Sequence, residues 1–528
     1  MDRIRILDCT LRDGGYVNNF EFGEDKIKEI IRKLSAASID IIECGFLKSG
    51  AFDGNFSLYG SIDAVKKAIG QKNEKLMYVA MIQYGGISND EIAPCDSTSI
   101  DGIRLTFHEH EIELAFVLGK QLMDKGYKVF MQPVGTITYT DEALLHLIQK
   151  VNELRPYSFY MVDTLGTMYK NDLLRMYYLI DHNLDKNIVL GFHSHNNLQL
   201  SFANAQELMQ LNTDRNIVID ASILGMGRGA GNLNTELVTQ YINANLGLKY
   251  DNLEILEVMD EYIKPLSLQY KWGYDAPYYI ASISGCHPNY ASFLINKQTL
   301  HIQDIYAILG KMKKEKRALF DKEYIGQEYL SYLSKHVDDQ ETLSALKEKL
   351  SGKNVMLIAP GKSLSECQDK ICETISEKNC SVISVNFIPD WLSVDYMFIS
   401  NLKRFKNVDY MLSHAGSVPV IATSNLTTEA RSDLYIVNFS SYLNDEQCIS
   451  DNAGLMAMNL MKKVGVKKLI LAGFDGFSAQ PSENYVDKAL YMDVETERLL
   501  NMNKATAEKL KQLKTQMNIE FVTTSVYE

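Results

Sequence analysis

From Ile4 to Ser222 the chain alternates short apolar runs with amphipathic stretches, and nothing else in it narrows the choice of fold so far. The runs are Ile4–Asp8, Ile39–Cys44, Leu76–Met81, Gly102–Thr106, Lys128–Gln132, Phe159–Asp163, Ile188–His193 and Ile217–Ser222. Each is short and mostly β-branched or aromatic, the pattern of a buried strand. Between them lie helical patterns such as Glu24–Ala37, where Ile27, Ile30, Ile31 and Leu34 recur at three- and four-residue spacing. Strands alternating with helices imply parallel strands joined by right-handed crossovers. Eight such units in about 220 residues are what a (β/α)₈ TIM barrel needs. The alternative is an open doubly wound sheet. Polar residues gather at the C-terminal ends of the runs, where a barrel builds its active site, and this favours the barrel.

The texture changes after residue 295. The Lys/Glu/Leu-rich stretch 296–350 carries no strand signal and reads as a helical connector. A second alternation follows, with strands expected at Asn354–Ala359, Ser381–Asn386, Asp395–Ser400, Val418–Thr423, Leu434–Asn438, Lys468–Ala472 and Glu520–Thr523. Residues 351–528 therefore form a separate doubly wound, Rossmann-like α/β domain, and the barrel spans 1–295. The 54 Lys and Arg against 67 Asp and Glu give a formal charge of −13. That balance argues against nucleic acid or an anionic membrane as partner, since both require a clustered basic face. No apolar run approaches the roughly 18 residues of a spanning helix, and Met1–Asp8 has no signal-peptide pattern. The eight cysteines are scattered without a CxxC pair, which reads as reduced thiols in a cytoplasmic protein.

Four clusters at strand ends carry chemistry: Leu7-Asp-Cys-Thr-Leu-Arg-Asp-Gly-Gly-Tyr16, Asp163-Thr-Leu-Gly166, Gly191-Phe-His-Ser-His-Asn-Asn-Leu198 and Gly225-Met-Gly-Arg-Gly-Ala-Gly-Asn-Leu-Asn-Thr-Glu236. His193 and His195 are two apart on a strand, so both imidazoles project to one side. Two neutral imidazoles plus a carboxylate are a common ligand set for a divalent metal with open positions. In a closed barrel the first and eighth strands are neighbours, which brings Asp13 toward the histidines. Histidines hydrogen-bonded to backbone are the plainer alternative. Arg12 suits an enolate stabiliser beside such a metal, or else a simple salt bridge. The glycine-rich segment after the eighth strand suits close approach of backbone N–H groups to an anion, or else is only a flexible loop.

Taken together, these motifs resemble the metal-dependent lyases and synthases of the DRE-TIM metallolyase superfamily, which includes 4-hydroxy-2-oxovalerate aldolase, hydroxymethylglutaryl-CoA lyase and isopropylmalate synthase. The resemblance covers residues 1–295. It implies Asp13, His193 and His195 as metal ligands, with Asn232 as a fourth or neighbouring partner. It implies Arg12 as the enolate-stabilising residue, with Glu43 and Asp163 as polar residues around Arg12 and the substrate. The metal would be Mn²⁺ or Mg²⁺, with Zn²⁺ or Co²⁺ also admissible. Gly191–Leu198 and Tyr290-Ala-Ser-Phe-Leu294 resemble the 4-hydroxy-2-oxoacid aldolases, in which a Tyr of the second phrase borders the site; Tyr290 takes that place. The implied reaction is cleavage of a small 2-oxoacid to pyruvate and an aldehyde. An acyl-CoA Claisen synthase is the runner-up, and a silent barrel serving a glycan-related second domain is a third reading.

One departure stands out. The aldolases carry a His shortly after the Arg-Asp pair, and Tyr16 holds that position here. A phenol with an ordinary pKa near 10 is a poorer base at neutral pH than an imidazole near 6.5. Tyr16, a metal-bound water, Tyr290 or His287 is then expected to move the proton. The second domain distantly resembles Rossmann-like domains of bacterial sialyltransferases and surface-glycan proteins, which implies a nucleotide or nucleotide-sugar at Pro360-Gly361-Lys362-Ser363. Dimerisation or substrate delivery is its other reading, and a homo-oligomer is expected.

Overall fold

The computed structural model describes residues 3–247, 249–405, 407, 418–426, 434–480, 483–487, 490–491 and 496–528. Eight parallel strands make the N-terminal barrel: β1 (Ile4–Asp8), β2 (Ile41–Leu47), β3 (Met77–Gln83), β4 (Gly102–Phe107), β5 (Lys128–Pro133), β6 (Ser158–Asp163), β7 (Val189–Ser194) and β8 (Ile217–Ala221). Closure is explicit, because β1 pairs in parallel with β8 on one side and with β2 on the other. The expected TIM barrel is therefore the observed one, and the open sheet is excluded. A two-residue strand, Leu58–Tyr59, adds to the outer end of β2.

The barrel has two apolar layers. Inside it, Leu7, Ile41, Val79, Phe130, Tyr160 and Val218 pack across the axis. Outside it, the helices lay their stripes on the strands. The helix Glu24–Ala36 buries Ile27, Ile30, Ile31 and Leu34, the residues its periodicity selects.

Two compact units make up the chain: residues 1–291 with 313–320, and residues 292–312 with 321–528. The segment 296–350, expected as a connector, is thus divided between them. The second unit contains a seven-stranded parallel sheet of β9 (Asn354–Ile358), β10 (Cys380–Val385), β11 (Tyr396–Ile399), β12 (Val420–Thr423), β13 (Leu434–Val437), β14 (Lys468–Ala472) and β15 (Ile519–Phe521). Their spatial order is β13-β12-β11-β10-β9-β14-β15. From β9 the chain builds the sheet in one direction through β13, then returns to add β14 on the other side of β9. The expected doubly wound sheet is present, with its reversal between β9 and β14. Among the described residues, no helix is long and apolar enough to cross a membrane.

Candidate active site

The chain turns as soon as it leaves β1. The backbone N–H groups of Arg12 and Asp13 both donate to the Cys9 carbonyl, at 3.1 and 2.8 Å, and this turn presents both side chains at the carboxyl end of the barrel. His193 and His195 stand at the end of β7, their rings perpendicular and 5.2 Å apart. One ligand atom from each of Asp13, His193 and His195 falls within 4.8 Å of the others. The first and third strand-end motifs thus meet in space as a closed barrel implies.

Protonation suits the set to a cation. Burial pushes the His195 imidazole down to about 3, against the opposing pull of Asp13, so the ring is neutral at physiological pH. Burial would raise the Asp13 carboxyl, but the charge of Arg12 outweighs it and holds the group well below the usual carboxylate range. His193 Nδ1 lies 3.0 Å from Asp220 Oδ2. Asp220 is itself held low by Arg104 and His193 despite full burial, so its ionised carboxylate can only accept. The proton therefore sits on His193 Nδ1, and the Nε2 lone pair is left for a metal.

Asn232 closes the group. Its Nδ2 donates to Asp13 Oδ2 at 2.7 Å and to the Met226 carbonyl at 3.2 Å, while its buried Oδ1 has no partner among the described residues. A buried amide oxygen left unpaired is costly unless something else satisfies it. Two imidazoles, an ionised carboxylate and this oxygen fit a divalent cation. Gly227 is the glycine the site cannot replace: a Cβ there would stand 2.4 Å from Asn232 Nδ2 and 2.9 Å from Asp13 Oδ2.

Beneath the ligands runs a buried chain of charges. Arg12 donates from Nη1 to Asp13 Oδ1 at 2.6 Å and from Nε to Glu43 Oε2 at 2.9 Å. Arg104 Nη1 donates to the same Glu43 oxygen at 2.6 Å, and its Nη2 pairs with Asp220. Tyr160 donates to the other Asp220 oxygen at 3.0 Å. Asp13, Arg12, Glu43, Arg104, Asp220 and His193 are thereby joined without a break.

The pocket above has a volume of about 910 Å³, its mouth included, and is bordered by Arg12, Asp13, Tyr16, His193, His195 and Arg228, among others. Tyr16 is 38% exposed and lies under Arg228, whose guanidinium carbon is 4.4 Å from the ring centre. The Nε of Arg228 is buried and makes no hydrogen bond among the described residues. His287 borders the same pocket; its Nδ1 accepts from the Asn289 N–H at 3.2 Å, so its proton is on Nε2.

Not every expected residue points into this space. Glu43 sits behind Arg12 and orients it. Asp163 ends β6, but its carboxylate accepts the backbone N–H groups of Thr167 and Met168, both at 3.0 Å, and so caps its own loop. Tyr290 is fully buried and does not border the pocket; its hydroxyl donates to the Lys316 carbonyl at 2.7 Å, and its ring meets Phe320 edge-on at 5.1 Å. Phe320 is what borders the pocket. Arg104, Asp220 and Arg228 are the residues that the strand-end reading left out. The available signal was a charge inside an apolar run: Arg104 in Gly102–Phe107 and Asp220 in Ile217–Ala221. A charge so placed requires a partner on a neighbouring strand.

A closed barrel with a carboxylate and two histidines at its carboxyl end, a set that could hold a metal ion, defines a class of TIM barrels. Within it, residues 3–260 match the HMGL-like family, so the N-terminal unit carries an HMGL-like domain. The chain is 28% identical over 239 residues to oxaloacetate decarboxylase of Mycobacterium tuberculosis, covering 44% of this chain and 67% of that protein. It is 26% identical over 269 residues to 4-hydroxy-2-oxovalerate aldolase of Geobacillus genomosp. 3, covering 49% and 76%. A crystal structure of the N-terminal domain of a provisionally assigned aldolase from Bacteroides vulgatus superposes with a TM-score of 0.49 at 25% identity, over 55% of this chain and 96% of that one.

Proposed function

We propose that the barrel is a divalent-metal-dependent lyase that makes or breaks a carbon–carbon bond through the enolate of pyruvate, with 4-hydroxy-2-oxoacids giving pyruvate and an aldehyde. The observation that carries this reading is the convergence of Asp13, His193 and His195 with Arg12 in one pocket. A divalent ion bound by the three ligands supplies an electrophile for the 2-oxo group.

The chain's own residues do the rest. Arg12 spends Nη1 on Asp13 and Nε on Glu43, which fixes the guanidinium plane and leaves Nη2 for the developing enolate oxygen. Asp220 and Arg104 keep His193 in the tautomer that can ligate. Tyr16 borders the pocket where its hydroxyl can hydrogen-bond the substrate's 4-hydroxyl, and His287 presents Nε2–H from another side.

Decarboxylation of a 2-oxodicarboxylate is a second reading, which shares the enolate and needs no base at a 4-hydroxyl. Arg228 favours it: an unpaired cation at the pocket wall suits a second carboxylate, and the place of a basic His is taken by Tyr16. The test is pyruvate formation by the purified protein with Mn²⁺, Mg²⁺, Zn²⁺ and Co²⁺ in turn, from 4-hydroxy-2-oxoacids of increasing length and from oxaloacetate. Exchange of pyruvate methyl protons with deuterated solvent reports the enolate alone. No exchange and no pyruvate with any metal would overturn both readings; condensation of a 2-oxoacid with an acyl-CoA would replace them by the Claisen reaction.

A further inference from the structure

The second unit holds a crevice of about 1140 Å³, its mouth included, within residues of that unit alone. It lies over the carboxyl ends of four strands, bordered by Pro360 and Gly361 after β9, Asn386 after β10, Asn401 after β11 and Asp475 after β14. Because β9 and β14 are the strands between which the sheet reverses, the loops leaving them diverge and open the gap. We infer that this crevice binds a nucleoside phosphate, with the phosphate at Arg404 and Lys297 and the base against its aromatic wall.

Three cations border the crevice: Lys297, Arg404 and Arg498. Arg404 Nη2 donates to the Leu490 carbonyl at 3.2 Å, while its buried Nη1 has no hydrogen-bond partner among the described residues. A guanidinium nitrogen without an acceptor in a cleft is a standing demand for an anion. Lys297 is almost wholly buried, with its side chain 7% exposed; its ammonium donates to the Gln447 carbonyl at 3.3 Å, lies 4.9 Å from the Tyr329 ring centre, and is 3.9 Å from Asp451. That is too far for a tight pair, and burial depresses the ammonium accordingly. The carboxylates of the crevice are already engaged: Asp451 accepts from Tyr329, and Asp475 accepts the Ser363 N–H at 2.7 Å and the Ser363 hydroxyl. The helix Ala453–Val464 also begins here, with Asn452, Ala453, Gly454 and Leu455 along the border, so its positive end adds to the field on an anion.

One part of the wall is aromatic. Phe474, Phe477, Tyr485 and Tyr527 border the crevice. Phe477 and Tyr485 meet edge-to-face at 6.4 Å, and the Arg404 guanidinium carbon is 5.8 Å from the Tyr485 ring centre. A free phosphate or a sugar phosphate would use the cations and leave these rings idle. A nucleoside phosphate uses both, since every base offers a π-face for stacking.

Calorimetric titration of the full-length protein with AMP, CMP and UDP, with adenosine, cytidine and uridine, and with inorganic pyrophosphate tests the assignment. At least one nucleotide is expected to bind at one site per chain, and at least about tenfold more tightly than its nucleoside or pyrophosphate, in line with the loss of a charge-assisted hydrogen bond or a stacked base. Arg404→Gln and Lys297→Met, each checked for folding by circular dichroism, should weaken that nucleotide by about 10- to 100-fold. Absence of nucleotide heat from the folded wild type at millimolar concentration would overturn the proposal. So would pyrophosphate binding as tightly as any nucleotide, which would leave the aromatic wall without a role, or nucleotide affinity indifferent to both substitutions.

Discussion

Asp220 Oδ2 stands 3.0 Å from His193 Nδ1 and also receives the guanidinium of Arg104, so one carboxylate oxygen buried in the barrel sets the tautomer of a histidine at its mouth. Removing the charge while keeping the shape isolates that role. Asp220→Asn is expected to weaken divalent-metal binding by about 10- to 100-fold, the usual cost of losing a carboxylate behind a ligating His. His193→Ala, which removes the ligand itself, should abolish stoichiometric binding. Metal titration followed by elemental analysis reads both. Full wild-type affinity in Asp220→Asn would detach the network from the metal site.

Arg12 gives a sharper contrast. Arg12→Lys keeps a charge but loses the planar fork that reaches Glu43 and Asp13 together. Turnover and deuterium exchange into pyruvate should both fall by about 10²–10³, with metal content retained. Exchange at the wild-type rate would take Arg12 out of enolate stabilisation.

Arg228 is expected to choose the substrate. Arg228→Gln should raise KM by about 10- to 100-fold for a 2-oxoacid carrying a second anionic group, the range lost with one charge-assisted hydrogen bond. For a neutral-tailed 4-hydroxy-2-oxoacid KM should change little. Equal effects on the two substrates would reduce Arg228 to a cover over Tyr16.

Tyr290→Phe separates support from ligation. The variant loses the bond to the Lys316 carbonyl behind the wall that carries Phe320, so KM should rise while metal affinity stays at the wild-type value. A fall in metal affinity would place Tyr290 nearer the ion than its buried position gives.

Asp8 supplies a test in pH. Its carboxyl is fully buried, and burial raises it to about 6 against the bonds from Thr235 and Thr10 that lower it. A folded-state value above the unfolded one means that the folded protein holds this proton more tightly. The associated stability is complete below about pH 4 and is lost as pH rises through about 6, reaching on the order of 3 kcal/mol by neutrality. Asp8→Asn carries no such titration. Its melting temperature should therefore gain on the wild type between about pH 4 and 6 and keep that gain to about pH 7.5, and a constant difference from about pH 4 to 7.5 would refute the shift.

The barrel was legible because its signals are local. Strand runs and the stripe of Glu24–Ala36 follow from the periodicity of neighbouring residues, and observed strand ends differ from expected ones by a few residues at most: Ile39–Cys44 became Ile41–Leu47, and Ile217–Ser222 became Ile217–Ala221. The His193/His195 pair was legible for the same reason, since two residues along a strand return to the same side. Arg104 and Asp220 were not, because their meaning lies in each other and they are 116 positions apart. Asp163 shows the opposite failure. A carboxylate at a strand end serves chemistry or its own loop equally well, and the N–H groups of Thr167 and Met168 decided for the loop.

The barrel unit takes in residues 313–320 only after the chain has passed through 292–312 of the second unit. Neither unit is thus a continuous stretch of sequence. A single recombination junction after residue 291 would transfer a barrel without Leu319 and Phe320, two residues of its pocket border. On the ribosome, too, the pocket is complete only once Phe320 has emerged, by which point part of the second unit has already been synthesised. A barrel with its full pocket border therefore ends no earlier than Phe320, and it carries residues 292–312 of the second unit with it.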